Sequence, residues 1–206
     1  MVTSSRILVF GDSYANFHRF EAGITDAFAQ AGRPMEVSSI SLPGADSAKL
    51  AGRLSDPALT AQLNADGPYA AILLIAGIND ITKRRGVAAF SKSMRALVNV
   101  ARPLSMYVFA LEIIDFDERV DISATPFRLR NAARGLIFDR APGRVATYRK
   151  AVQGISNVVI LPTSDFLPAH DAARFKDGVH LTDVEFDKLA RHTGEQMLQA
   201  MAGQSP

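Results

Sequence analysis

The sequence predicts an α/β domain built on a parallel sheet, and three observations carry that prediction. Short apolar runs recur at residues 7–10, 35–40, 70–75, 106–111 and 158–161, of strand length and bounded by turn residues. Helical patterns fill the chain between them, the alternation expected of βα units rather than of hairpins. The length of 206 residues suits a single domain, 1–206, with a substantial core, and no repeat, low-complexity tract or linker divides it.

Each connection has its own signal. After the first run, Phe20, Ile24, Ala27, Phe28 and Ala31 form one helical stripe, closed by Gly32 as a C-cap. Residues 45–65 divide into two short helices at Asp56-Pro57, because proline is tolerated only in a first turn. Val87, Phe90, Met94, Leu97, Val98 and Ala101 mark the helix before the fourth strand. Residues 116–157 are less regular, interrupted at Pro126, Gly135, Pro142 and Gly143, and carry Arg119, Arg128, Arg130, Arg134, Arg140, Arg144 and Arg149. They read as helices joining strands four and five. Thr182 and Glu185 form a capping box opening the last helix, whose buried face is Phe186, Leu189, Ala190, Met197, Ala200 and Met201. Residues 202–206 read as a frayed tail.

Bulk composition narrows the partners. Hydrophobic residues make up 48% and charged residues 21%, and the formal net charge is +2, so no whole-chain attraction to nucleic acid or an anionic membrane follows. The arginines of 119–149 are scattered and Trp is absent, against the basic stripe with stacking aromatics that nucleic-acid binding calls for. Cysteine is absent, which excludes disulfides, thiolate metal sites and a cysteine nucleophile. No apolar run approaches the length of a membrane span, and no leader pattern precedes the first strand, so a cytoplasmic location is expected.

Three short clusters follow strand runs: Gly11-Asp12-Ser13, Gly77-Ile78-Asn79-Asp80 and Asp177-Gly178-Val179-His180. In an open parallel sheet, ligands bind outside the carboxyl ends of the strands, so these residues are expected to meet at one edge. Ser13 supplies a nucleophile once a base removes its proton. Of the four histidines, only His180 has a carboxylate three residues before it with a glycine between; Asp177-Gly178 favours a turn that folds Asp177 onto one ring nitrogen. His170 is expected in a polar loop and His192 on the solvated side of the last helix. Asn79 offers a side-chain amide to an oxyanion, and Gly44 and Ser13 offer backbone N–H groups. Each cluster also has a plain structural reading: Asp12 or Ser13 caps a helix, Pro43-Gly44 makes a turn, and Asn79-Asp80 caps the next helix.

With Ser13, Gly44, Asn79 and His180 in hand, the chain resembles the SGNH hydrolases, the GDSL-type esterases and lipases. The matching blocks stand in family order from residue 7 to residue 181. The resemblance implies a three-layer flavodoxin-like sandwich with a five-stranded parallel sheet of order 2-1-3-4-5. It also implies a Ser13–His180–Asp177 triad and an oxyanion hole from Ser13, Gly44 and Asn79. The usual Leu after the serine is Tyr14 here, which bears on the pocket surface. The α/β-hydrolase nucleophile elbow, Gly-x-Ser-x-Gly, fits less well, since Ala15 stands where its second glycine would.

The reaction so implied is hydrolysis of a carboxylic ester through an acyl-enzyme, with a short acyl group such as acetyl on a carbohydrate or small alcohol. It needs no metal or organic cofactor. Tyr14, Phe17, His18 and Phe116 are the expected pocket residues, and Lys83-Arg84-Arg85 either attracts an anionic leaving group or forms a solvated helix start. Acyl transfer to a sugar hydroxyl and lysophospholipase or thioesterase activity use the same triad. A non-catalytic flavodoxin-like binding module is the reading from another class; its phosphate loop would want several free amides after strand one, and Asp12 opposes an anion there.

Overall fold

The central strand, β3 (Tyr69–Ile75), is buried along its whole length, and the sheet is arranged around it. In this computed structural model, residues 5–83, 85–115, 144–166, 172–176 and 179–203 are described. β1 (Arg6–Gly11) lies on one side of β3, with β2 (Glu36–Ser41) outside it. β4 (Ser105–Leu111) and then β5 (Val159–Leu161) lie on the other side. All pairings are parallel and the order is β2-β1-β3-β4-β5, as the family resemblance implied. β2 is an edge strand with no buried residue, which suits its Ser38, Ser39 and Ser41. β5 pairs with β4 only over Phe109–Leu111, and β4 is accordingly half-exposed before Val108.

Helices cover both faces, giving the three layers. α1 (Arg19–Gln30) packs on the last helix, and α2 (Ser47–Leu54) packs on α5 (Val87–Ala101). α3 (Pro57–Ala65) follows α2, and α4 (Ile78–Thr82) is a single turn after β3. α6 (Arg144–Gln153) precedes β5, and α7 (Asp183–Gly203) closes the fold. The expected break falls at Asp56, whose carboxylate accepts from Leu59 N–H and so caps α3, with Pro57 at the first helical position. Gly32 takes the left-handed conformation expected of a helix terminator, with φ of 69°. Among the described residues no helix is long and apolar enough to cross a membrane.

Three expectations are corrected. The reciprocal capping box at α7 is replaced: Thr182 N–H donates to Arg174 O at 2.7 Å, and the Glu185 carboxylate pairs with Arg174 and Lys188 at 3.3 and 2.9 Å. A charged partner drew Glu185 away from the backbone. His192 is half-buried rather than solvated, stacked on Phe166 at 4.9 Å between ring centres. α7 continues through Ala202 and Gly203, where fraying was expected. His170 and most of the arginine-rich stretch lie outside the described residues.

α1 and α7 cross closely because both carry glycine at the contact. A Cβ on Gly23 would stand 2.6 Å from Ala190 Cβ and 2.7 Å from Arg191 N; one on Gly194 would stand 2.8 Å from Ala27 Cβ. Two effects oppose each other in Gly23→Ala: alanine gains about 1 kcal/mol of helix propensity, while overpacking against a rigid backbone costs about 1–3 kcal/mol. The collision involves the α7 main chain, which cannot turn aside as a side chain can. We expect Gly23→Ala to lower stability by up to about 2 kcal/mol net, measured by urea unfolding with an unchanged m-value; a gain in stability would show that the helices are free to separate.

Candidate active site

Ser13 stands at the carboxyl end of β1, where Asp12 N–H donates to Ile75 O at 3.1 Å before the two strands part. Glycine is required at position 11, since a Cβ would lie 2.5 Å from Ile75 O and 2.7 Å from Ile75 Cβ. Residues Ser13–Phe17 form a 3-10 turn, and the Asp12 carboxylate caps it by accepting from Tyr14 N–H at 3.1 Å. The capping reading of Asp12 therefore holds. The Ser13 N–H has no acceptor among the described residues and is half-buried with its side chain.

A small antiparallel element brings the histidine across. Phe175 bridges Leu181, Thr182 N–H donates to Arg174 O, and Lys176 N–H donates to His180 O at 2.7 Å. The segments 174–176 and 180–182 thus run antiparallel beside each other. Asp177 and Gly178, where a turn was expected, lie outside the described residues. His180 Nε2 stands 3.1 Å from Ser13 Oγ, a hydrogen-bond distance between residues 167 apart in sequence. With the imidazole proton on Nδ1, Nε2 accepts from the Ser13 hydroxyl.

Asn79 arrives on α4, after Gly77 turns the chain with φ of 123° at a spot where a Cβ would meet Ile113 Cδ1 at 2.5 Å. Its Nδ2 donates to Asp12 Oδ2 at 3.1 Å. A carboxylate can only accept, so this contact fixes which end of the amide is nitrogen, and it uses one of two N–H bonds, leaving the second for a ligand. Asp12 is 1% exposed, and burial pushes its carboxyl up to about 6 against the lowering effects of Tyr14 N–H, the Asn79 amide and His180.

The loop carrying Gly44 is held by the residues that follow Asn79. The buried Asp80 accepts from Ser47 N–H at 2.9 Å and from Ser47 Oγ at 2.7 Å, and burial raises its carboxyl above the ordinary value. Lys83 Nζ donates to the Gly44 carbonyl. Arg85 donates twice to Asp46 Oδ2, at 3.1 and 2.8 Å, while Asp46 caps α2 through Lys49 N–H. Burial pushes the Asp46 carboxyl up, but the Lys49 amide and Arg85 outweigh it and hold it below its ordinary value. Gly44 has φ of 74°, strained for any other residue, and its N–H has no acceptor among the described residues. Lys83 and Arg85 are exposed, as a solvated helix start would be, and each also has a partner in the loop of residues 44–47.

The structure brings Ser13, His180, Asn79 and the Gly44 loop to one sheet edge. Tyr14 is buried, 1% exposed, and lines a small cavity with Asp12, Ile75, Ala76, Ile78 and Ile113. His18 is exposed and turned to Glu21, its Nδ1 3.0 Å from Glu21 Oε2. Phe116 and the Phe17 side chain fall outside what is described. Sequence reasoning missed the Asp12–Asn79 contact and the clamp of Asp80, Lys83 and Arg85 on residues 44–47; the adjacency of Asn79 to three charged residues was the one available signal. Among the described residues no group of three or more histidine and carboxylate side chains is arranged to hold a metal ion.

No family model matches this sequence, and no curated protein matches it. Solved structures do. An acetylxylan esterase from Geobacillus stearothermophilus is 17% identical over 96% of this chain and 96% of that one, with a TM-score of 0.65. A GDSL-like lipase from Bacteroides thetaiotaomicron is 15% identical over 98% of this chain and 89% of that one, with a TM-score of 0.58. At such identities the likeness establishes the fold: this chain shares the architecture of those two structures.

The burial of Asp12 sets a pH dependence. Its folded carboxyl binds a proton more tightly than the unfolded one, at about 6 against 3.8, so its contribution is most favourable below pH 4 and is lost as pH rises through 6. The displacement is worth about 3 kcal/mol. We expect that, between pH 4 and 6.5, the stability of wild type falls relative to Asp12→Asn by an amount of that order, followed by urea unfolding. Parallel stability curves for the two proteins would contradict the buried, raised carboxyl.

Proposed function

We propose that this chain is a serine ester hydrolase of the SGNH type. The observation that carries the reading is the 3.1 Å separation of Ser13 Oγ and His180 Nε2, with N–H donors on the neighbouring Gly44 and Asn79 segments. The likeness of fold to an esterase and a lipase supports it.

In the proposed cycle His180 Nε2 takes the Ser13 proton as Oγ bonds to the ester carbonyl carbon. The carbonyl electrons move to oxygen, and that charge is met by the N–H groups of Ser13 and Gly44 and the second Asn79 amide hydrogen. Collapse expels the alcohol, which leaves with the proton held by His180. Water then adds to the acyl-enzyme by the same route, releasing the acid and returning the proton to Ser13. Asp177 is the proposed partner of His180 Nδ1, keeping the imidazole in the accepting tautomer. The proposed substrate carries a short acyl group, acetyl on a carbohydrate or small alcohol; the acetylxylan esterase of like fold acts on such a compound and supports that choice.

Two measurements test this. Wild type should react with a fluorophosphonate probe and hydrolyse p-nitrophenyl acetate, whereas folded Ser13→Ala should do neither; normal labelling of that variant would end the proposal. A preference for acyl chains of eight carbons or more would overturn the short-acyl assignment. Asn79→Ala should lower kcat about 100- to 1,000-fold with little change in KM, the effect of removing one oxyanion donor. An intact kcat would remove Asn79 from the site.

A further inference from the structure

Tyr14 touches the histidine segment at two points. Its hydroxyl donates to the carbonyl of Val179, the residue before His180. Its ring stacks on the His180 imidazole, with centres 5.8 Å apart and planes 26° apart. The same ring stacks on Phe186 of α7 at 5.3 Å and 23°, and Phe186 meets Phe20 of α1 edge-on at 5.3 Å. Two consecutive residues, Ser13 and Tyr14, therefore engage two consecutive residues, His180 and Val179.

This arrangement answers a need. His180 lies inside the single Phe175–Leu181 bridge, its carbonyl accepting from Lys176 N–H, and belongs to no helix or strand. An imidazole that swings by 1 Å loses its approach to the serine, and such misplacement costs catalysis steeply. Tyr14 is 1% exposed, so its contacts are chiefly with the protein. We infer that Tyr14 is a positioning residue for the base: its hydroxyl and ring hold His180 against Ser13 and tie both to the α1–α7 core. The inference rests on the hydrolase reading for its rate consequences and on the observed contacts alone for its effect on His180.

The test compares Tyr14→Phe, which keeps the ring and loses the hydroxyl, with Tyr14→Leu, which loses both. For p-nitrophenyl acetate, Tyr14→Phe should lower kcat about tenfold, the rate equivalent of one buried hydrogen bond. Tyr14→Leu should lower it about 100-fold as the stack is lost as well. KM should stay within about twofold of wild type in both, because a group acting through the base contributes to the transition state and not to ground-state binding. The rate of fluorophosphonate labelling should fall in step with kcat. The His180 ring resonances, assigned by their loss in His180→Asn, should shift or broaden in Tyr14→Phe, and this readout needs no activity. A folded Tyr14→Phe with wild-type kcat and unchanged His180 resonances would overturn the inference, as would a raised KM at constant kcat, which marks a substrate contact. If wild type itself fails to label, the hydrolase reading falls, and the ring resonances alone decide whether Tyr14 positions His180. Should Tyr14→Leu not fold, Tyr14→Phe carries the test.

Discussion

The 3.1 Å approach of His180 Nε2 to Ser13 Oγ joins the two ends of the chain, and most of the molecule can be read as the means of holding that contact. Its first requirement is that β1 and the segment before α7 finish at the same sheet edge, which parallel topology ensures. The second is that α7 starts at a defined height above β1. Arg19, at the start of α1, pairs with Asp183 and Asp187 at the start of α7, at 3.2 and 2.6 Å. Those partners are substantially exposed, and exposed pairs contribute at most about 1 kcal/mol. The close crossing through Gly23 and Gly194, with Phe20 and Phe186 between the helices, sets the height more firmly.

The side carrying Asn79 and Gly44 follows a different logic. Asn79 and Gly44 lie on separate βα loops, yet the residues just past Asn79 reach back to the loop of Gly44. Asp80 takes both donors of Ser47, Lys83 takes the Gly44 carbonyl, and Arg85 takes Asp46. The two donor segments are thereby one polar unit. Its buried carboxylates are costly by themselves, and each is supplied with backbone or hydroxyl donors that offset the loss of water. Asp12 is the extreme case: it is nearly inaccessible, raised to about 6, and joined to both the turn after β1 and the Asn79 amide.

Tyr14 illustrates how position in sequence misleads about surface. A tyrosine one residue after Ser13 reads as a wall of a ligand pocket. The 3-10 turn at Ser13–Phe17 has three residues per turn, so Tyr14 and Ala15 are buried while Ser13 is half-buried and Asn16 is exposed. Lys83 and Arg85 are exposed cations, and only the fold shows that their partners lie in the loop of residues 44–47.

Strand positions, the break at Asp56-Pro57, the glycine turn at Gly44 and the edge where Ser13, Asn79 and His180 gather were legible in the chain itself. They are local matters: hydrophobic period, proline and glycine stereochemistry, and the rule that ligands meet parallel strands at their carboxyl ends act within a few residues or through topology alone. The partners of buried polar groups were not legible. Asp12 to Asn79, Asp80 to Ser47, Tyr14 to Val179 and Glu185 to Arg174 all join separate elements, and a side chain chooses its partner only after packing has fixed which donors and acceptors lie within about 3 Å. Sequence specified which chemistry this sheet edge can assemble; tertiary structure decided which side chains support it, because desolvation at close range is felt only in the folded molecule.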